Sequence, residues 1–322
     1  MTGGVPETAI PDVSVLVPVF NEVEGIERCH REIVSELARS GYSFEIVFVD
    51  DGSNDGSHER LQALAGRDNR ITVVKLLYNI GQQRAMYTAL GYCRGKAVVT
   101  FDSDLQFHVE CLPHLVAKIL EGYDIAGGTR VHRRDPLLAN RIPSWVGRKL
   151  INAALRIDQV DFGGVKAYSA KLVKTLLSMH APLIVIPAMA YSISRKAIEI
   201  PVRHEERQTG YSKWSILSRM ELYLDIYTLY ARRPFAWMLV SGIGLMGIAL
   251  LLGLCIAAYR LLISNTFSGL IYFFDVFLFV TGIFLFSQSL IGEFVVRNLR
   301  GGRFDPSNIV EGVINDRRSE KL

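Results

Sequence analysis

Asp102-Ser103-Asp104 follows the apolar run Val98-Val99-Thr100-Phe101. Two carboxylates two residues apart, where a strand breaks into a loop, can approach one hard cation together. Mg2+ or Mn2+ is commonly held by one or two carboxylates and completed by substrate phosphates. Such an ion neutralises charge that develops on a departing diphosphate. In a random loop the same spacing is more often a solvated turn, so the strand-end position is what gives it weight. Asp50-Asp51-Gly52-Ser53 ends another apolar run, Phe44–Val49. An acidic residue there can accept hydrogen bonds from a base or ribose, although a plain strand-to-helix turn capped by Ser53 or Asp55 fits the same residues. Pro18-Val19-Phe20-Asn21-Glu22 follows a third run. Late in the chain, His204, Arg207 and Lys213 surround Gly210. Fixed cations beside a diphosphate stabilise it as a leaving group, and beside a bilayer the same residues would face anionic lipid.

The elements that must position these residues follow from the apolar pattern. Short runs predict strands at Val13–Pro18, Phe44–Asp50, Ile71–Leu77, Ala97–Asp102 and Ile125–Thr129. Amphipathic stretches predict helices near Glu24–Arg39, Ser57–Ala65, Gln82–Cys93 and Leu112–Gly122. Near-continuous apolarity is the mark of strands buried on both faces of a parallel sheet. This is an α/β domain with its sites at the C-terminal strand ends. Asn21 with Glu24 three residues on predicts a capping box opening the first helix. Ile198–Val202 predicts a further strand, which Pro201 confines to a sheet edge. Arg130, His132, Arg133, Arg134 and Arg141 form a basic cluster suited to a loop over the site. No G-x-G-x-x-G or G-x-x-x-x-G-K-[ST] follows the first strand, which argues against a dinucleotide enzyme or a P-loop NTPase.

Of the 322 residues, 36 are basic and 32 acidic, too even a balance to suggest nucleic acid as a partner. The four cysteines (Cys29, Cys93, Cys111, Cys255) are far apart and predict buried thiols in a reducing compartment. Met1–Asp12 shows no signal-peptide pattern.

Hydrophobic residues make up 49% of the chain, and the uninterrupted apolar sequence lies after Pro234. Residues 214–233 carry Ile216, Met220, Tyr223, Tyr227 and Tyr230 at helical spacing and end on Arg232-Arg233, as an interfacial helix or a buried soluble helix would. Phe235–Tyr259 then runs uncharged for longer than the ~20 residues that span a bilayer core. A second span covers Gly269–Gly292, interrupted by Asp275 near its start. Only Arg260 marks the connecting loop, whereas Arg232-Arg233 and Arg297, Arg300 and Arg303 mark the outer ends. The positive-inside rule therefore places the α/β domain and the tail in the cytoplasm. Ala249, Gly253 and Ala257 form a small-residue stripe suited to helix packing. The expected layout is an α/β domain over 1–213, an interfacial helix over 214–233, two membrane helices over 234–294 and a cytoplasmic tail over 295–322.

Taken in order, Pro18-Val19-Phe20-Asn21-Glu22, Asp50-Asp51-Gly52-Ser53, Asn79-Ile80-Gly81-Gln82, Asp102-Ser103-Asp104-Leu105-Gln106 and His204-x-x-Arg207-x-x-Gly210-x-Ser212-Lys213 resemble the motifs of family 2 inverting glycosyltransferases with a GT-A, Rossmann-like fold. Within that family the chain is most similar to the polyprenyl-phosphate glycosyltransferases, over nearly its whole length. The resemblance implies a nucleotide-sugar pocket at Pro18, Phe20, Glu22, Asp50, Asp51, Gln82, Asp102 and Arg130. It implies a divalent metal, Mg2+ or Mn2+, near Asp102, Asp104 and Gln106. Donor diphosphate or acceptor phosphate would meet Arg130, His204, Arg207, Ser212 and Lys213, with Asp104, Arg207 and Lys213 closest to catalysis. It also implies transfer from a donor, UDP-linked, to a polyprenyl phosphate at the inner membrane, and assembly as a homo-oligomer such as a tetramer. Two stretches depart from the pattern: Phe107-His108-Val109 stands where relatives often have Pro-Pro, and Gln83-Arg84 follows the Gly-Gln pair. A processive polysaccharide synthase would carry Q-x-x-R-W and more spans, neither found here. A non-catalytic partner presenting lipid-linked sugars would not need intact acidic and basic motifs.

Overall fold

The computed structural model describes residues 10–130, 164–179, 183–194, 196–202, 224, 226–228, 235–262, 269–299 and 304–317. They divide into two compact units, one comprising the chain to Ile226 together with Arg303 onward, the other Tyr227–Gly302.

The first unit is built on one eight-stranded sheet. In chain order its elements are β1 (Val13–Val19), α1 (Ile26–Ser40), β2 (Phe44–Asp50), α2 (Ser57–Ala65), β3 (Ile71–Leu76), α3 (Gln82–Leu90), β4 (Ala97–Thr100), α4 (Cys111–Leu120) and β5 (Ile125–Arg130). There follow β6 (Lys166–Ser169), α5 (Ala170–Ser178), α6 (Ile186–Ile193), β7 (Ala197–Val202) and, after the second unit, β8 (Val310–Ile314). The strand order is β7-β5-β6-β4-β1-β2-β3-β8. β4, β1, β2 and β3 run parallel, and every residue of β1 is buried. The sheet is mixed rather than wholly parallel, because β6 runs against β4 and β5, and β8 runs against β3. β6 escapes the apolar pattern because it is four residues long and begins on a lysine. The predicted edge strand is present as β7, which among the described residues pairs only with β5.

Helix α1 buries Ile26, Cys29, Ile33 and Leu37, the i, i+3/i+4 stripe of a helix with one face on the sheet. It ends on Gly41 at φ 77°, a left-handed cap that costs glycine nothing. The capping box expected at Asn21 does not form. Gly25 precedes the helix without a side-chain cap, and Asn21, at φ 53°, accepts the Asn54 N–H instead. A contact between loops has displaced the local one.

Of the expected tail over 295–322, the first residues continue the helix Gly269–Leu299 and the chain from Arg303 onward belongs to the first unit. β8 covers the outer edge of β3, Lys75 pairs with Glu311 at 3.0 Å, and Asn315 donates to the carbonyls of Ala65 and Ile71. Covering an edge strand removes a row of unpaired backbone groups that would otherwise invite aggregation.

The second unit is a helix pair, α7 (Ala236–Leu262) and α8 (Gly269–Leu299). At 1.5 Å per residue these are about 40 and 46 Å long, more than the ~30 Å of a bilayer's hydrocarbon core. A core helix of a soluble protein would be mostly enclosed. Here only 17% and 6% of the most apolar windows are buried, so the leucines and phenylalanines face outward. The buried residues are Gly242, Ala249 and Ile256 on α7 and Gly282, Ser289 and Val296 on α8. That spacing is seven, the repeat of a supercoiled helix pair, rather than the four expected from Ala249, Gly253 and Ala257. Glycine is required at the crossing: a Cβ on Gly242 would lie 2.7 Å from the Phe286 amide nitrogen. Ser289 Oγ donates to the Phe235 carbonyl at 2.9 Å. Of the four thiols, Cys29, Cys93 and Cys111 are buried as expected, whereas Cys255 on α7 is exposed. Burial pushes the Cys111 thiol up to about 12, so it is inert as a nucleophile.

Candidate active site at the C-terminal strand ends

Four loops leave the C-terminal edge of the parallel strands and bond to one another in a circuit. The loop after β1 meets the loop after β2 and the start of α2 through three bonds besides the one between Asn54 and Asn21. Asn21 N–H donates to Ser53 Oγ (3.0 Å), Val23 N–H to Asp55 Oδ2 (3.2 Å) and Glu22 N–H to Ser57 Oγ (3.0 Å). Asp55 also takes the Ser57 N–H (3.0 Å), so Asp55 serves the start of α2, although Gly56 holds the cap position. The loop after β2 meets the loop before α3 through Asp51, whose two oxygens accept the Ile80 and Gly81 N–H groups at 2.8 and 3.0 Å. Gln82, first in α3, donates its amide to Asp102 Oδ1 at 2.7 Å. Ser103 closes the circuit, its hydroxyl meeting the Glu22 carboxylate and the Pro18 carbonyl.

The backbone is specialised at two points of this circuit. Gly52, at φ 70°, lies so close to the next loop that a Cβ would fall 2.7 Å from Asn79 N. Leu105 sits at φ 54°, a conformation uncommon for a leucine, directly after the acidic motif. Asp102 and Asp104 are exposed while Ser103 between them is buried, so both carboxylates face outward from a turn in which the Leu105 N–H meets the Asp102 carbonyl at 3.4 Å. Asp104 Oδ1 accepts the Gln106 N–H at 3.2 Å.

Asp50 and Asp51, expected in the nucleotide pocket, hold the loop together through their side chains. Asp50 is fully buried, its Oδ1 accepts the Ser53 N–H (3.0 Å), and its Oδ2 lies 3.3 Å from His58 Nδ1. Burial raises the Asp51 carboxyl above the ordinary range despite two N–H partners, and the Asp50 charge adds to the rise. His58, the second residue of α2, has no motif around it that would have pointed to it. Gln82, expected in the donor pocket, steadies the acidic motif. Of the departures, Gln83 Oε1 accepts the Ile186 N–H that starts α6, and the Arg84 guanidinium lies 5.6 Å from the Phe304 ring. Pro18 lies within β1, paired with Val49, while Phe20 and Glu22 are on the loop that follows it, Phe20 39% exposed. Arg130 closes β5. His204, Arg207, Ser212 and Lys213, and most of the stretch expected as an interfacial helix, lie outside the described residues.

Because Asp51 holds two backbone N–H groups at once, Asp51→Ala should loosen the Ile80–Gly81 turn that presents Gln82. We expect the donor KM to rise about tenfold, the order of one lost charge-assisted hydrogen bond, with a smaller change in kcat. Steady-state kinetics showing an unchanged KM would dismiss this role.

The donor set at Asp102 and Asp104 suits a hard cation. It is all oxygen, and among the described residues no three His, Cys, Asp or Glu side chains converge into a closed cage.

Comparison with known proteins agrees with this architecture. Residues 14–176 match the family model described as "Glycosyl transferase family 2". The chain is 33% identical over 311 residues to the undecaprenyl-phosphate 4-deoxy-4-formamido-L-arabinose transferase of Pseudomonas fluorescens, covering 94% of this chain and 90% of that one. It is 30% identical to the protein of that name from Shewanella sediminis (94% and 92% covered) and 32% to that from an Enterobacter species (95% and 95%). Among solved structures, a mannosyltransferase from Pyrobaculum calidifontis aligns at 19% identity over 91% of this chain and 80% of that one, with a TM-score of 0.48. Sequence, circuit and relatives converge: the chain belongs to glycosyl transferase family 2, a glycosyltransferase with a GT-A-type sheet followed by two long apolar helices.

Proposed function

We propose that this enzyme transfers a sugar from a nucleotide-sugar donor, UDP-linked, to the phosphate of a polyprenyl lipid such as undecaprenyl phosphate, with inversion at the anomeric carbon. The observation that carries this reading is the closed loop circuit that turns Asp102 and Asp104 outward, in a chain that also has two membrane-length helices. The names of the relatives, matched over nearly the whole chain, support the lipid acceptor.

Asp102 and Asp104 would hold Mg2+ or Mn2+, with Gln106 beside them. When bound, the ion neutralises the diphosphate as it leaves. Pro18, Phe20 and Glu22 frame the nucleotide pocket, and Phe20 offers a base an aromatic face at the rim. Asp50 and Asp51 set the shape of the pocket wall. Arg130, His204, Arg207, Ser212 and Lys213 would keep two anions, donor diphosphate and acceptor phosphate, within reach of each other. The attacking phosphate oxygen is already ionised at neutral pH, so the residues have no strong base to supply. Their contribution is positioning and charge stabilisation. Helices α7 and α8 would span the inner membrane with the sheet on the cytoplasmic side, next to the lipid phosphate.

The test is purified full-length protein in vesicles with undecaprenyl phosphate and a panel of UDP- and GDP-sugars. The panel should be led by UDP-linked 4-deoxy-4-formamido-L-arabinose, the sugar in the relatives' names. The expected result is a labelled lipid-phosphate sugar formed from a UDP donor. Donor hydrolysis without lipid product, or a growing polysaccharide, would contradict the proposal.

A further inference from the structure

Beside the acidic motif, on the same edge of the sheet, lies a charged pair that the proposed chemistry does not use, its lysine buried and its glutamate 16% exposed. Thr100, Lys166, Gly127 and Glu199 occupy one row across β4, β6, β5 and β7. Thr100 stands two residues before Asp102, so this row lies just beneath the circuit. The Lys166 side chain is 1% exposed, and its Nζ lies 3.3 and 3.4 Å from the two Glu199 oxygens. Glu199 Oε2 also accepts from the Thr129 hydroxyl at 2.8 Å, and Oε1 from the Tyr191 hydroxyl of α6. The pair meets across β5 only because position 127 is glycine, where a Cβ would overlap the Glu199 carboxylate.

Stability alone does not call for this arrangement. A buried ion pair is typically no more stabilising than well-packed apolar residues of the same volume, because both charges must be desolvated. What it supplies is register. β7 is an edge strand, and nothing in its own alternation prevents it from slipping by two residues against β5. One carboxylate bonded to β5 at Thr129, to β6 at Lys166 and to α6 at Tyr191 forbids that slip. Thr129 directly precedes Arg130, and β7 ends at Val202, two residues before His204.

We propose that Glu199, with Lys166 as its counter-charge, is a positioning residue for donor binding. It fixes the points at which the chain leaves the sheet toward both basic groups of the site. This rests on the functional reading above, in that those groups are taken to meet the donor. Glu199→Gln alone strands the Lys166 charge and is expected to lower the melting temperature. The informative variants are therefore the double Lys166→Met/Glu199→Gln, which removes both charges, and Thr129→Val, which removes one hydroxyl.

Each protein, full length in detergent, is measured for melting temperature, for binding of labelled UDP-sugar and for transfer. We expect both variants to melt near the parent. The double variant should bind donor about tenfold more weakly, and Thr129→Val several-fold, with kcat changed less than KM. Parent-like donor affinity in the double variant would overturn the proposal, since a merely structural pair predicts that outcome. A parent that binds donor without lipid transfer refutes the acceptor reading and leaves the positioning role to be read from affinity. A parent that binds no nucleotide sugar refutes both.

Discussion

Asp104→Ala is expected to reduce sugar transfer on the order of a thousandfold while the protein melts at essentially the parent temperature. The carboxylate is exposed, in a loop past the end of β4, and accepts the Gln106 N–H of its own turn. Folding therefore depends on it little. Its role in the proposed chemistry is large, because a group that stabilises developing charge is worth roughly 10²–10³ in rate by itself, and loss of the ion it helps to hold adds to that. Asp102→Ala should behave in the same direction, with an added loss because it also releases Gln82. A transfer rate within tenfold of the parent for Asp104→Ala would mean that the motif is a solvated turn after all.

The second large effect is the opposite kind. Glu45, 3% exposed, lies where β2 begins, at the edge of the sheet away from the loop circuit. It accepts from Arg94 Nε at 3.0 Å, from the Arg94 N–H at 2.6 Å and from Ser14 Oγ at 2.6 Å. Ser14 Oγ in turn accepts the Gly95 N–H at 2.7 Å. Arg94→Met would leave the carboxylate buried without its counter-charge, which costs about 3–5 kcal/mol. A fall of that size is visible as a lower melting temperature or a lower denaturant midpoint for the sheet-bearing unit. The double variant Glu45→Gln/Arg94→Met should recover most of it. Protein that remains folded should keep the parent KM, because this network serves the opposite end of the strands from Asp104. A parent-like midpoint for Arg94→Met would show that water or a neighbour replaces the guanidinium.

The contrast between those two edges was partly legible in the sequence. Strands β1 to β5 could be read because each is a run of β-branched and apolar residues closed by a polar turn, and buried parallel strands leave that signature. β6 could not, since Lys166 opens it and the pairing that neutralises Lys166 comes from Glu199, 33 residues away. β8 could not either: Val310–Ile314 carries Glu311 and Gly312, and only its antiparallel fit on β3 makes it a strand. The two apolar helices were plain from length and lack of charge, but their contact face was not. A spacing of four marks one side of any helix, whereas the seven-residue spacing at Gly242, Ala249 and Ile256 is set by the partner helix.

At the site, the acidic motif was found because strand ends are where parallel sheets expose their loops. The partners of its residues were hidden. Nothing local says that Asp51 will hold Ile80 and Gly81, that Gln82 will reach Asp102, or that Ser103 will meet Glu22. Each depends on two loops arriving together, which only the folded sheet decides. The misplaced capping box shows the same cause. Asn21 was free to cap α1 and was taken by the neighbouring loop.

The most direct test of the account is the metal dependence of transfer by the purified full-length protein. UDP-sugar and undecaprenyl phosphate are supplied, divalent ions are removed with chelator, and Mg2+ or Mn2+ is then restored. The account predicts that transfer stops in chelator and returns with either ion in the parent, and that Asp104→Ala stays inactive throughout. Full transfer by the parent in chelator would contradict it.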